Sequence, residues 1–247
     1  IFIFFSTGIW WPREGDRCNL PLNILKGYKC ESSINLKRSI LITGCSSGIG
    51  LATAFLLSSR GWNVFAGCRK AEDVDRLKAL GLNAINFDYA DEASIKDAVR
   101  DIVSQTGGNL DAIFNNGAFA IPGALEDMPV EALRSIFETN VFGWHTLVRE
   151  IVPLMRAQGH GRIIQCSSIL GFITLAYRGP YNASKWAIEA MSDTLRLELE
   201  GSGIKVISIR PGPITSRFRA NSISHFEKRI NWKSSPQNEL YKEFLVP

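Results

Sequence analysis

A tyrosine and a lysine four residues apart are the pair in this sequence best suited to acid–base chemistry. Tyr181 and Lys185 stand in the run Tyr-Asn-Ala-Ser-Lys, and positions i and i+4 are neighbours on one face of a helix. Because a nearby cation favours the phenolate, we expect Lys185 to lower the pKa of Tyr181 from its usual value of about 10. Tyr181 could then exchange a proton with a carbonyl or an alcohol oxygen. Taken alone, such a pair is more typical of an amphipathic surface helix, so its meaning depends on the motifs upstream.

A glycine-rich loop, Thr43-Gly-Cys-Ser-Ser-Gly-Ile-Gly50, follows the first predicted strand and opens the first predicted helix. Glycines let the backbone turn tightly and approach a ligand, and a helix N-terminus offers free N–H groups to a pyrophosphate. We therefore predict a nucleotide-binding loop here, rather than an ordinary strand-to-helix turn. The residues assigned to it are Gly44, Ser46, Ser47, Gly48, Ile49 and Gly50.

The end of the second predicted strand favours NADP(H) over NAD(H). An acidic residue about 20 positions past the glycines would bind the ribose 2′-hydroxyl of NAD. Here the strand ends in Gly-Cys-Arg69-Lys70, and the first carboxylate is Glu72. Two adjacent cations suit a 2′-phosphate, which Arg69 could bind through two hydrogen bonds. The alternative, two solvated charges at the start of a helix, fits Lys70 alone better than it fits both residues.

Strands alternate with helices from residue 39 onwards. Apolar runs predict strands over 39–43, 64–67, 84–87, 111–115, 162–166 and 205–209, and helical periodicity predicts helices over 49–60, 71–80, 91–105 and 181–200. A long helix or helix pair over about 130–157 should be interrupted at Pro153. The alternation predicts an α/β fold with a doubly wound parallel sheet, which binds ligands at the carboxyl ends of its strands.

The composition excludes several classes of function. The chain has 247 residues, 45% of them hydrophobic, and a net charge of +4 without any block of like charges. It is long enough for one large α/β domain, and nothing in its charge pattern indicates a nucleic-acid partner. Five cysteines without a CxxC motif and three scattered histidines do not suggest a metal site. We expect a reduced, cytoplasmic protein.

Residues 1–36 differ from the rest of the chain. The apolar stretch 1–11 is far shorter than the roughly 20 residues that span a membrane, and it lacks the flanks of a signal peptide. We expect 1–36 to be an extension outside the fold, such as a truncated or misassigned leader, and 37–247 to be the NADP(H)-binding domain. Contact of residues 1–11 with a membrane surface is the alternative.

Further motifs complete a resemblance to the short-chain dehydrogenase/reductase family over about residues 37–218. They are Asp88 after the third strand, Asn115-Asn116-Gly117-Ala118 after the fourth, Asn140, Ser168 and Pro211-Gly212. The sequence looks most similar to the hydroxysteroid and retinol dehydrogenase branch and its bacterial relatives. The resemblance implies a single Rossmann-type domain that transfers a hydride between a nicotinamide and a carbonyl or alcohol.

The resemblance also implies roles for the catalytic residues. Tyr181 would be the general acid/base, and Lys185 would lower its pKa and bind the nicotinamide ribose. Ser168 would stabilise charge on the substrate oxygen, and Asn140 would hold a water that links Lys185 to solvent. Ser167 is the rival serine, but Ser168 stands just before the x-x-Gly stretch of the family pattern.

Contacts to the cofactor carry over in the same way. Asp88 would meet the adenine, and Asn115 and Gly117 would lie along the adenosine ribose. The order Asn-Asn-Gly-Ala departs from the family's Asn-Asn-Ala-Gly, although the small residues needed for close approach remain. The residues expected near the nicotinamide are Pro211, Gly212 and Thr215.

The C-terminal part departs further from the family. After the sixth strand the family adds a helix and a seventh strand, whereas residues 219–247 are polar, are broken by Ser-Ser-Pro and show no convincing strand. We expect the C-terminal strand and helix to be missing.

The leading hypothesis is an NADP(H)-dependent oxidoreductase that interconverts an alcohol and a carbonyl without a metal. Apolar residues in 119–125 and 169–178 suggest a lipophilic small-molecule substrate, unless they pack against each other or against a neighbouring subunit. A homodimer or homotetramer is expected by family analogy. The alternatives are a non-catalytic dinucleotide-binding sensor or scaffold, and a sugar-nucleotide epimerase, which usually needs a longer C-terminal domain.

Overall fold

A six-stranded parallel sheet with the strand order β3-β2-β1-β4-β5-β6 forms the centre of the molecule. The computed structural model describes residues 37–245. The strands are β1 Ser39–Thr43, β2 Asn63–Cys68, β3 Asn83–Asn86, β4 Ala112–Asn115, β5 Gly161–Cys166 and β6 Ile204–Ile209. All neighbouring strands are parallel, which confirms the predicted doubly wound sheet.

Eight α-helices flank the sheet in the described part of the chain. They are α1 Gly48–Ser59, α2 Ala71–Ala79, α3 Glu92–Thr106, α4 Val130–Phe137, α5 Gly143–Gln158, α6 Gly179–Glu198, α7 Phe218–Arg229 and α8 Asn238–Phe244. Local chemistry sets several boundaries. The side chain of Asp91 accepts hydrogen bonds from the N–H groups of Ala93 and Ser94 and so begins α3, and Gly107 ends this helix at a φ of +64°.

The centre of the sheet is buried because helices lie on either side of it. All five residues of β1 are buried, and Ile40 pairs with Val64 on one side and Ala112 on the other. A strand buried in this way reads as a continuous apolar run, which is why the sequence located β1 correctly. The strand order runs outward from the centre in both directions, from β1 to β3 on one side and from β4 to β6 on the other. A crevice forms at the carboxyl ends of the strands at such a switch point, here between β1 and β4.

The break in the long central helical segment is a π-helical turn over Glu138–Phe142 and not Pro153. Pro153 lies within α5 and is exposed, so the hydrogen bond that it cannot donate is lost on the solvent side. The π-helical turn buries Asn140 completely. The predicted interruption was therefore assigned to the wrong residue.

The C-terminal segment after β6 contains two helices that the sequence did not predict. Helices α7 and α8 form after β6, and they build a second, small hydrophobic core with the segment around Ile121 and with α4. Tyr241 of α8 is fully buried there, and its hydroxyl donates to Asp127 and accepts from the N–H of Ala124. No seventh strand is present within residues 37–245.

The predicted N-terminal extension, residues 1–36, lies outside the described part of the chain. Between residues 37 and 245, none of the helices combines the length and the apolar character that crossing a bilayer requires.

Gly143, which follows the π-helical turn, is a point where packing leaves no room for a side chain. A Cβ atom there would lie 2.3 Å from the carbonyl oxygen of Tyr89. We expect Gly143→Ala to lower the free energy of unfolding by ~1–3 kcal/mol because the backbones must separate. Thermal denaturation of the purified chain measures this effect.

Gly212→Ala is the matched control, because a Cβ atom at Gly212 meets nothing within 4 Å. Its melting temperature should stay close to that of the wild type. Equal melting temperatures for both variants would contradict the close packing of α5 against the Tyr89 segment.

Candidate active site

Helix α6 brings Tyr181 and Lys185 together, as the spacing predicted. Lys185 is only 1% exposed, and its Nζ donates to the carbonyl oxygen of Cys166 at 2.7 Å. The same Nζ lies 4.4 Å from the ring centroid of Trp144 and 5.6 Å from that of Tyr181. Cation–π contacts of this kind stabilise a desolvated ammonium by up to ~2 kcal/mol.

Burial changes the acidity of this ammonium. It lowers the pKa of Lys185 to about 8, although the charges of Cys166 and Glu189 oppose the shift. The ammonium has three N–H donors, and Cys166 supplies its one acceptor among the described residues. Two donors therefore remain for groups that enter the crevice.

The expected lowering of the pKa of Tyr181 is not what the structure shows. Burial of the phenol raises this pKa, the charge of Cys166 adds to the rise, and the nearby Ser168 hydroxyl opposes it only in part. Desolvation is the largest cause of this shift. Tyr181 is consequently a neutral phenol near neutral pH, which is the form that can donate a proton to a carbonyl oxygen.

The two candidate serines differ in their surroundings. Ser168 lies close enough to Tyr181 to lower the pKa of the phenol, and its hydroxyl accepts from the N–H of Leu170 at 3.1 Å. The hydroxyl of Ser167 is buried without a hydrogen-bond partner within residues 37–245. The geometry therefore favours Ser168 as the serine that faces a substrate.

Asn140 acts in this structure as a clamp on the backbone of Phe119. Its Oδ1 accepts from the N–H of Phe119 at 3.1 Å, and its Nδ2 donates to the carbonyl oxygen of Phe119 at 2.9 Å and to the hydroxyl of Ser184 at 3.2 Å. Both amide hydrogens are thus engaged by protein groups. The side chain thereby positions the segment after β4 against α6 at Ser184, one residue before Lys185.

The glycine loop has the shape of a phosphate cradle. Gly44 and Gly48 have φ values of +68° and +61°, and a Cβ atom at Gly44 would lie 2.6 Å from Gly117. Ser47 precedes α1 without capping it through its side chain, and the first turn contains no acidic residue. The first N–H groups of α1 remain available, so the loop fits a dinucleotide pyrophosphate.

A buried chain of hydrogen bonds crosses the carboxyl ends of the strands. The hydroxyl of Tyr89 lies 2.7 Å from that of Thr43 and donates to Oδ1 of Asn115 at 2.6 Å, and Nδ2 of Asn115 donates to Gln165 at 2.8 Å. Thr43 also accepts from the N–H groups of residues 116 and 117. The side chain of Asn115 therefore faces the interior, and only its backbone can face an adenosine ribose.

The two cations after β2, Arg69 and Lys70, differ in whether a carboxylate pairs with them. Lys70 pairs with Glu72 at 3.0 Å on the surface, while Arg69 is exposed and takes part in no ion pair within residues 37–245. Arg76 of α2, which the sequence did not single out, donates to the carbonyl oxygen of Ser46 and to Asp73, both at 2.8 Å. It ties the glycine loop to α2.

The other expected cofactor residues lie around the same edge. Asp88 is half-buried after β3 and accepts from the N–H of Ala90 at 3.0 Å. The carbonyl oxygen of Pro211 accepts from the N–H of Ile169 at 3.1 Å, which joins the loop after β6 to the turn that carries Ser168. Gly212 and Thr215 are exposed next to it.

Trp144 is a site residue that sequence reasoning missed. Its indole lies beside the Lys185 ammonium, and its Nε1–H donates to the carbonyl oxygen of Gly117 at 2.8 Å. It thereby connects the loop after β4, which approaches Gly44, to the lysine. A tryptophan within an amphipathic helix gives no sequence signal for such a role.

Comparison with known proteins agrees with this geometry. The short chain dehydrogenase profile matches residues 38–226. An uncharacterized oxidoreductase of Escherichia coli K12, YbbO, is 44% identical over 186 residues, which cover 75% of this chain and 69% of the relative.

Two further comparisons reach beyond the enterobacteria. The NADPH-dependent 1-acyldihydroxyacetone phosphate reductase of Schizosaccharomyces pombe is 30% identical over 83% of this chain and 68% of its own length. A crystal structure of a short-chain dehydrogenase from Streptomyces avermitilis superimposes with a TM-score of 0.69 at 34% identity, over 72% of this chain and 66% of that one. The chain spans about two thirds of the length of these proteins. With the predicted motifs brought together on a sheet of matching topology, this chain belongs to the short chain dehydrogenase family of oxidoreductases.

Proposed function

We propose that the chain catalyses NADP(H)-dependent interconversion of a carbonyl and an alcohol on a lipophilic small molecule. The observation that carries this proposal is the convergence of a buried lysine, a phenol and a serine at the edge where the glycine loop lies. Lys185 donates to the carbonyl oxygen of Cys166 at the end of β5, and Ser168 stands two residues further along. A non-catalytic dinucleotide sensor would not require this set.

The residues divide the reaction between them. When bound, the dinucleotide supplies the hydride to a carbonyl carbon or accepts it from an alcohol. Tyr181 donates the proton to the carbonyl oxygen in the reductive direction, and its hydrogen bond with Ser168 stabilises the phenolate that remains. Before that transfer, the single O–H of Ser168 donates to the substrate oxygen and stabilises the negative charge that develops there. The Lys185 ammonium, held by Cys166 and Trp144, keeps positive charge beside the phenol.

The preference for NADP(H) rests on Arg69. It follows the end of β2 by one residue and, among residues 37–245, has no carboxylate partner, unlike Lys70. A guanidinium binds a phosphate through two hydrogen bonds more firmly than an ammonium does. The Schizosaccharomyces pombe relative is named for its dependence on NADPH, which supports the same choice.

A lipophilic substrate is supported by apolar side chains left exposed beside the site. Phe172 is 72% exposed, and Leu125, Ile173 and Leu175 are also exposed. These residues belong to the two segments that follow β4 and β5. Both segments begin at the carboxyl ends of the strands, where a substrate would lie. The acylated substrate in the name of the Schizosaccharomyces pombe relative is consistent with this class of compound.

Replacing the phenol hydroxyl tests the catalytic assignment. We expect Tyr181→Phe to lower kcat by about 1,000-fold or more, because the substitution removes the hydroxyl that donates the proton to the substrate oxygen. NADPH oxidation against a panel of ketones and aldehydes measures kcat, and quenching of tryptophan fluorescence measures the Kd for NADPH, which should change less than about threefold. Wild-type turnover by Tyr181→Phe would refute the assignment.

Charge removal at the end of β2 tests the choice of cofactor. We expect Arg69→Gln to reduce kcat/KM for NADPH by about 10- to 100-fold and to leave kcat/KM for NADH nearly unchanged, since only NADPH carries the 2′-phosphate. Lys70→Gln is the matched control and should have a smaller effect, because Glu72 already pairs with Lys70. Equal losses with both cofactors in Arg69→Gln would count against binding of the 2′-phosphate.

The low pKa of Lys185 predicts how the stability of the cofactor-free chain depends on pH. Below pH 8 the lysine is charged in both the folded and the unfolded state, so folding bears the full burial cost. Between pH 8 and about 10.5 the folded state binds fewer protons at Lys185 than the unfolded state does. The free energy of unfolding therefore rises with pH in this range. Lys185→Met removes the cost and should raise the free energy of unfolding by ~1–3 kcal/mol below pH 8.

Thermal melts of the wild type and Lys185→Met from pH 7 to 10.5 measure this difference. The gap in Tm should shrink as the pH rises, while the variant loses activity at every pH. The control is Lys205→Met, since Lys205 is exposed on β6. A gap that is constant with pH would mean that the ammonium is not desolvated.

A further inference from the structure

An ion pair between α6 and the loop after β6 joins two segments of the site. Arg210 follows the last residue of β6, and Glu189 lies about one turn of α6 beyond Lys185. The guanidinium donates from Nε to one carboxylate oxygen of Glu189 at 2.8 Å and from Nη2 to the other at 2.7 Å. Two parallel hydrogen bonds of this kind fix the relative orientation of the two side chains as well as their separation.

The carboxylate of this pair is largely removed from water. The side chain of Glu189 is 11% exposed and that of Arg210 is 40% exposed. Among the lysine and arginine ion pairs of residues 37–245, no other carboxylate is buried as deeply. A buried ion pair adds little stability compared with apolar side chains of similar size, and its best-attested use is to specify one arrangement. The pair is therefore better suited to fixing the loop after β6 against α6 than to stabilising the fold.

The turn that begins at Ser168 packs against the same part of α6. It ends at Gly171, where a Cβ atom would lie 3.0 Å from Cγ of Glu189 and 3.1 Å from the carbonyl oxygen of Lys185. Both distances are shorter than ordinary contacts of a side chain. The place of the Ser168 turn against α6 is therefore set in part by the stem of Glu189.

The loop after β6 contacts the same turn. The carbonyl oxygen of Pro211 accepts from the N–H of Ile169, the first residue of the turn after the serine, at 3.1 Å. On the other side of Arg210, Ile209 pairs in the sheet with Cys166, whose carbonyl oxygen holds the lysine ammonium. The run from 209 to 211 therefore links the serine turn to the strand end that orients the lysine.

We propose that Glu189 and Arg210 are positioning residues for the transfer of hydride and proton. Their ion pair holds the Ser168 turn and the loop after β6 at a fixed place relative to Tyr181 on α6. This inference rests on the proposed function, since it assigns residues to the same site. The turn carries the hydroxyl that meets the substrate oxygen, and the loop is expected to border the nicotinamide. A displacement of about 1 Å in either segment can cost about 100-fold in rate.

Removing either member of the pair tests this inference. NADPH oxidation is followed with straight-chain aldehydes from butanal to dodecanal. We expect Glu189→Gln and Arg210→Gln each to lower kcat by about 10- to 100-fold and to change KM for the aldehyde less than about threefold, because the aldehyde still binds but is no longer aligned. The double variant should lose no more than the worse single variant, since the two side chains act as a unit. Arg210→Lys keeps the charge without the two parallel hydrogen bonds and should recover part of the rate.

Hydrogen exchange in the cofactor-free chain tests the geometry without turnover. We expect the N–H of Ile169 to exchange about fivefold or more faster in Glu189→Gln and Arg210→Gln than in the wild type, because the loop that accepts its hydrogen bond is no longer held. Glu198→Gln is the matched control. It removes the same charge from the exposed end of α6 and should change neither the exchange nor kcat.

An unchanged kcat in both single variants would overturn the inference, even if both melt at a lower temperature, because the pair would then only stabilise the fold. Losses that multiply in the double variant, or unchanged exchange at Ile169, would also overturn it. If the wild type turns over no carbonyl compound while exchange at Ile169 responds as expected, the proposed function fails and the placement of the turn by the ion pair stands.

Discussion

The ammonium of Lys185 is the group on which the rest of the site depends. An amine removed from water in this way is unfavourable unless its surroundings compensate, and among residues 37–245 the carbonyl oxygen of Cys166 and the face of Trp144 lie nearest to it. Cys166 and Trp144 are each held in place by another element of the fold. Cys166 ends β5, and Trp144 is held by its hydrogen bond to Gly117. The position of the lysine therefore depends on β5, on α5 and on the loop after β4 together.

The same loop couples the lysine to the glycine motif. Gly117 lies against Gly44 at a distance that excludes side chains, and Thr43 accepts from the N–H of Gly117. The hydrogen bonds from Thr43 through Tyr89 and Asn115 to Gln165 then fix the carboxyl ends of β1, β4 and β5 relative to one another. Buried polar networks of this kind are stabilising only when their members are satisfied. A rigid sheet edge of this type suits a reaction that requires fixed geometry.

Much of this arrangement is predictable from the sequence because it is local. Two motifs depend only on residues that are close in sequence: the apolar run of β1 with the glycines after it, and the four-residue spacing of Tyr181 and Lys185. The structure places both motifs at one edge of the sheet. The π-helical turn at Glu138–Phe142 was assigned to Pro153 because proline is the one residue in that segment known to break helices. The pKa of Tyr181 was misjudged because desolvation depends on residues distant in sequence. Trp144 and Arg76 act through contacts that cross the fold, so no local pattern reveals them.

The most direct test of the account is a crystal structure of the chain with NADP⁺. We predict the pyrophosphate on the N-terminus of α1, the 2′-phosphate at Arg69, and the nicotinamide beside Tyr181 with its ribose hydroxyls accepting from the Lys185 ammonium. A dinucleotide bound with its nicotinamide away from Tyr181, or a lysine whose ammonium turns away from the ribose, would contradict it.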